Sequence, residues 1–186
     1  MNDVLKTIQN RFSCRGYTGE AVAPSDVRAI AAAGLQAPSA KNFQPWKIIA
    51  INNKSIIDKL DNEGMEYLKS LEDQRLYQLF VDRGGKLFYN APALFIVLKE
   101  ENPQGTWVDI DCGILVQNMA LAATSLELNT CIVAFAAFAF NGANAEEMKK
   151  TVQWPDGYEF AMGLLVGEGN TTKEPHEIDW DKVVVI

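Results

Sequence analysis

Apolar positions recur along this chain in two rhythms, one close to 3.6 and one close to 2. Val4, Leu5 and Ile8 stand at helical spacing and predict a short amphipathic helix over residues 2–10, ending near Arg11. "PSDVRAIAAAGLQA" opens with a helix-start signal, in which Ser25 caps free amide groups and Asp26 suits the positive helix end. Its alanine-rich body predicts a tightly packed helix, stopped by Pro38. "WKIIAIN" then reads as a strand rich in β-branched residues. From residue 54 to about 88 helical alternation returns and breaks near Gly84-Gly85, predicting one or two surface helices. "ALFIVLKE" is a continuous apolar run, expected of a strand buried on both faces. "WVDIDCGILVQNMALAATSLEL" is the longest helix candidate and is apolar nearly all round, as a central helix packed on several sides should be. "TCIVAFAAF" fits a strand or an extended loop. Asn144 is placed to cap "AEEMKKTVQ", and "YEFAMGLLVGEG" reads as a third firm strand.

Strands interleaved with helices imply a sheet covered by helices. With few strong strands and helices grouped at the start, the pattern predicts an α+β fold, a three-layer α/β/α sandwich on a mixed, mainly antiparallel sheet. No repeat or linker interrupts it, so residues 1–186 are expected to form a single domain.

Charge narrows the ligands. The chain carries 17 basic and 24 acidic residues, a net −7, with no basic run, which disfavours nucleic acid as a partner. An anionic ligand therefore needs a local basic cluster. Cys14, Cys112 and Cys131 form no CxxC pair, and His176 is the only histidine, so no metal site built by the protein is expected. The odd cysteine count, and the lack of a signal-peptide or membrane-spanning apolar stretch, predict a reducing, cytoplasmic setting and no membrane partner. Neither a GxGxxG after a strand nor a GxxxxGK[ST] occurs, so a phosphorylated ligand would have to be held by arginine or lysine.

Two stretches carry candidate chemistry. In "RFSCR", Arg11, Ser13 and Arg15 alternate, so an extended backbone points all three the same way. Two guanidinium forks flanking a hydroxyl form a cradle for a phosphate and its polyol chain. A solvated basic turn is the plainer reading. In "PSAKNFQPW", Pro38, Ser39 and Ala40 make a bend, and Asn42 and Gln44 add paired donors and acceptors able to read a pyrimidine-like edge. A helix stop followed by Trp46 as a core anchor is the plainer reading here.

Together, "RFSCRGY…APSAKNFQPWKIIAI" resembles the N-terminal signature of the nitroreductase family of FMN-dependent oxidoreductases. "NAPALFIVL", "DCGILVQNMALAATSLELNTCIV" and "FAMGLLVGEG" extend the similarity more weakly along the chain. The resemblance implies a homodimer with FMN at the interface. It implies that Arg11, Ser13 and Arg15 hold the phosphate, ribityl chain and part of the pyrimidine ring. Pro38, Ser39 and Ala40 would approach from the partner subunit, with Asn42 and Gln44 supporting that loop or lining the site. Val133 and Ala134 would offer backbone contacts, although the family's usual Glu-Gly pair is absent there. Lys173 is the one lysine available where the family has a basic C-terminal segment. The implied activity is ping-pong hydride transfer through flavin N5, from NADH or NADPH to a nitroaromatic, a quinone or a similar electrophile, with no catalytic side chain of its own. A specialised flavin dehydrogenase and a flavin-storing or sensing protein without nicotinamide turnover share the same resemblance. Tyr67, Tyr77 and Phe80 are open to two roles, stacking on an acceptor or packing the core.

Overall fold

The computed structural model describes residues 1–186. In chain order the elements are α1 (Asp3–Asn10), α2 (Pro24–Leu35), β1 (Trp46–Ile51), α3 (Lys54–Ser70), α4 (Arg75–Asp82), β2 (Ala93–Glu100), α5 (Val108–Ser125), β3 (Asn129–Val133), α6 (Ala145–Thr151) and β4 (Tyr158–Gly167). The strands lie in the order β1-β2-β4-β3 and every ladder is antiparallel. The parallel component expected of the sheet is one isolated bridge, Ser13 to Thr130.

β2 shows why the middle of the sheet reads as unbroken apolar sequence. Its side chains alternate between two separate cores. Leu94, Ile96 and Leu98 enter one, with Ile57, Leu60 and Leu68 of α3, Phe80 of α4 and Met148 of α6. Ala93, Phe95 and Val97 enter the other, with Ile30 of α2 and Leu115, Val116 and Met119 of α5. Helices therefore cover both faces, giving the three layers. The alanine-rich α2 approaches α5 closely at Gly34, where a Cβ would stand 2.6 Å from Met119 Cγ. Only hydrogen fits there.

Local signals hold with three corrections. Ser25 does not cap α2: the helix begins one residue earlier, at Pro24, whose missing N–H and fixed φ suit a first helical position. Asn144 stands at the N-cap of α6, but its side chain makes no cap bond and donates instead to Glu63 Oε2 at 3.1 Å. The segment after α5 is a strand, β3, in its first half, but where a strand or an extended loop was expected to continue it forms a 3-10 helix over Phe135–Phe140. Residues 54–88 form two helices, separated near Leu71–Gln74, and Gly84 and Gly85 follow the second with φ of 97° and 68°. No helix is long and apolar enough to cross a membrane.

Candidate functional site

After α1 the chain runs extended along the β3 edge, because Cys14 N–H donates to Thr130 O at 2.8 Å. Alternation then sorts its side chains. Phe12 and Cys14 turn into the core, Cys14 completely, while Arg11 and Ser13 are half-buried and Arg15 is exposed. Cys14 Sγ donates to Gly16 O at 3.1 Å, so the thiol belongs to the packing and not to the cradle. Ser13, Arg11 and Arg15 gather around Cys131. Burial pushes that thiol above its usual range, and the two guanidinium groups and the serine hydroxyl pull it back.

Neither Arg11 nor Arg15 pairs with a carboxylate, although the chain holds 24 acidic residues and most of its ion pairs use lysine. The only hydrogen bond from either side chain is Arg15 Nη1 to Ser13 O, at a long 3.5 Å. Two uncompensated cations beside a hydroxyl, in an acidic protein, fit a phosphate.

The end of the sheet closes this corner. Thr18 N–H donates to Glu168 O and Asn170 N–H to Gly16 O, both at 3.0 Å. Thr171 Oγ1 lies 3.6 Å from Cys14 Sγ. Lys173 follows two residues later, exposed and without an ion-pair partner, at the root of a tail exposed from residue 171 to 186. Val133 is buried with its side chain in the core, and Ala134 beside it is exposed, so neither offers a polar side chain to a ligand.

The second motif folds on itself. Ser39 Oγ accepts from Gln44 N–H, and Asn42 Oδ1 accepts from Gln44 Nε2, both at 2.9 Å. Lys41, Asn42 and Gln44 all have positive φ, 51°, 58° and 50°, so three non-glycine residues within four positions hold a left-handed backbone. Each such residue costs on the order of 1 kcal/mol or more, a strain that must be compensated by contacts elsewhere. Asn42 and Gln44 thus spend their amides on the loop, and Pro38, Ser39 and Ala40 form its outer bend. Trp46, the first residue of β1, is buried in the core. A contact that sequence reasoning did not anticipate holds the loop from outside: Ala40 N–H donates to both carboxylate oxygens of Asp111, at 3.2 and 3.3 Å. Its only sequence signal is that it is one of two acidic residues in the first turn of a mainly apolar helix.

Within one chain the two motifs do not meet. Ser13 is level with Thr130, Val166 and Ala93, whereas the loop enters β1 at Trp46, level with Lys99 and Glu159. They occupy opposite edges and opposite ends of the sheet. Four strand spacings and six residues of strand place them about 28 Å apart. Of the aromatic side chains with two open roles, Phe80 lies in the core on Tyr89 and Phe135, while Tyr67 and Tyr77 are half-buried, Tyr67 packed on Phe138 and Tyr77 against the Phe80 cluster. No three His, Cys, Asp or Glu side chains gather as a metal cage.

The sequence model of the nitroreductase family matches residues 8–168. A crystal structure described as a nitroreductase with bound FMN, from Desulfitobacterium hafniense DCB-2, superposes with a TM-score of 0.90 at 40% identity, covering 100% of this chain and 99% of that one. A second, a nitroreductase with bound FMN from Bacteroides fragilis NCTC 9343, shares the fold with a TM-score of 0.85 at 24% identity, each chain covered completely. A Methanothermobacter thermautotrophicus protein bearing the provisional name NADH dehydrogenase/NAD(P)H nitroreductase is 31% identical over 68% of this chain and 58% of its own length. A similarly named Archaeoglobus fulgidus protein is 28% identical over 70% of this chain, and the match spans 66% of that relative.

Proposed function

The chain belongs to the nitroreductase family, and we propose that it is an FMN-dependent oxidoreductase that takes reducing equivalents from NADH or NADPH and delivers them to an electrophilic small molecule such as a nitroaromatic or a quinone. The observation that carries the reading is the pair of unpaired arginines flanking Ser13. Arg28 and Arg83 also lack carboxylate partners, so what singles out Arg11 and Arg15 is their place on one extended segment with a hydroxyl between them, an arrangement that fits an anion. The bound flavin would supply the redox chemistry, reversible hydride acceptance at N5.

The residues of the chain bind and orient. Arg11 and Ser13 would hold the phosphate and ribityl chain, and Arg15 would set a cation against the pyrimidine side, where it offsets negative charge on the bound ring. Lys173, two residues beyond Thr171, would add a further charge at the phosphate. Val133 and Ala134 would offer backbone groups at the ring edge.

The remaining wall has to come from a second copy. α5 spans about 27 Å along its axis, with the loop at its first turn and the Ser13–Thr130 bridge just beyond its last. Two α5 helices packed antiparallel about a two-fold axis would carry the Pro38–Ala40 bend of each copy to the arginines of the other. The free face of α5 supports this: Trp107 and Ile110 are 60% and 55% exposed, and Ile114 and Leu121 continue the stripe, half-buried. A homodimer with one site at each seam follows from that geometry.

Anaerobic titration of the FMN-loaded protein tests the activity. Bleaching of the flavin band by NADH or NADPH, with recovery on adding a quinone or nitroaromatic, is expected. A bound flavin that neither nucleotide reduces would refute the reductase reading and leave flavin storage in its place.

A further inference from the structure

We propose that Asp111 is a positioning residue for the cofactor: its buried carboxylate fixes the Pro38–Ala40 bend in the shape that meets flavin held by a second copy. The inference rests on the site proposed above and assigns the group that sets its second wall.

Asp111 is 5% exposed, and no lysine, arginine or histidine pairs with it. Both its oxygens face a single donor, Ala40 N–H, across 71 residues of sequence. Of the hydrogen bonds made by residues 38–44, this is the one that reaches a distant element; the others close the loop on itself or on its own flanks. A buried carboxylate with one backbone donor is an expensive way to pack a helix against a turn. If packing alone were at stake, an apolar side chain of similar size would serve as well or better. The charge is tolerated because Asp111 lies in the first turn of α5, where the free N–H groups make the helix end positive.

The loop explains what that cost secures. Lys41, Asn42 and Gln44 hold left-handed backbones, so the turn is strained and would relax if its outer end were free. Its internal bonds leave the direction of the bend open. The Asp111 bond closes that freedom, holding a bend whose Pro38 is exposed and whose Ser39 and Ala40 are half-buried, open to a ring system held by a neighbour. Preorganised contacts bind more tightly because less order has to be created on binding.

Deflavinated wild-type protein and the Asp111→Ala, Asp111→Asn and Arg11→Ala variants are titrated with FMN and with riboflavin, which lacks the phosphate. Asp111→Ala is expected to weaken both ligands by about tenfold or more, as loss of one charge-assisted bond would. The ratio of the two affinities should stay at its wild-type value, because the phosphate is held elsewhere. Asp111→Asn keeps an acceptor oxygen and should recover most of the loss. Arg11→Ala should behave oppositely, collapsing the ratio. Should Asp111→Ala not fold, Ala40→Pro deletes the donor instead; Ser39 before it is already extended, with φ −136° and ψ 158°, as a residue preceding proline requires. Wild-type affinities in the Asp111→Ala or Ala40→Pro protein, or a ratio that falls as it does for Arg11→Ala, overturn the inference while leaving the site standing. Wild-type protein that binds neither flavin overturns the site, and this inference with it.

Discussion

Replacing Arg11 by alanine isolates the charge on which the cofactor assignment depends. The side chain is half-buried where α1 ends, without a carboxylate partner. Truncation therefore orphans no buried acid and breaks no ion pair, and α1 ends there on a backbone bond, Arg11 N–H to Thr7 O at 3.1 Å. The fold should be nearly indifferent, within about 0.5 kcal/mol. The bound phosphate should not be. A charge-assisted hydrogen bond is worth about 1.5–3 kcal/mol, which is about 10- to 150-fold in affinity. Arg15 is more exposed, and screening should place its alanine variant at the low end of that range. Fluorescence titration of the deflavinated protein with FMN and riboflavin measures both, and repetition at raised salt should shrink the FMN advantage in wild type more than in the variant. An Arg11→Ala protein of unchanged melting temperature that binds FMN as wild type does would remove the arginine from the phosphate and, with it, the observation on which the functional reading stands.

Two further outcomes test the seam and the core. Ile110→Asp puts a charge on the exposed stripe of α5; sedimentation should show the dimer shifting to monomer, with flavin affinity falling alongside, and an unchanged dimer would exclude that face as the interface. The pH dependence of unfolding should separate two aspartates that lie three residues apart on α3. Burial raises Asp61 more than the N–H groups of Phe88 and Leu87, at 3.0 and 2.8 Å, lower it, so its stabilising contribution is complete below about pH 3.9 and is lost as pH rises through its folded pKa. Asp58 is also pushed up by burial, but Lys54 and Lys86 outweigh that and hold it below the usual range, so its contribution is present above about pH 3.9 and is lost as pH falls through its folded pKa. Stability of wild type relative to Asp61→Asn should therefore decline as pH rises above about 3.9, and relative to Asp58→Asn it should fall as pH is lowered below about 3.9; a change of the opposite sign in either window would contradict the assignment.

The layers of the fold could be read in advance because each strand and helix carries its burial in its own residues. β2 is apolar from Ala93 to Leu98 because both its faces are covered there, and α5 is apolar nearly all round because it touches sheet, α2 and α1. Caps were harder. Ser25 and Asn144 are competent residues in suitable places, but Pro24 starts α2 without a side-chain bond, and Glu63 of α3 takes the Asn144 amide. Capping propensity is local, whereas those competitors are set by neighbouring residues and by tertiary structure.

The site divides along the same line. Arg11, Ser13 and Arg15 share a side of one extended segment, and that follows from alternation alone. Their separation from the Pro38–Gln44 loop does not, because the two motifs are only about 25 residues apart in the chain, yet α2 and the whole sheet come between them. Asp111 was harder still: a carboxylate near a helix start ordinarily answers the helix dipole, and nothing in its neighbours names Ala40 as its partner. Both gaps have one physical origin. A single chain cannot bring its arginines to its own loop, so the polar groups at each corner are left with incomplete partnerships: two guanidinium groups without acids at one, and a bend aimed outward by a buried carboxylate at the other. The proposed antiparallel pairing of two α5 helices would complete both corners in a single operation. In that arrangement dimer formation and flavin binding are one linked equilibrium, so FMN should lower the protein concentration at which the dimer forms, and dilution should release the flavin. A flavin affinity independent of protein concentration, measured well below the dimer dissociation constant, would show that each chain holds its cofactor alone.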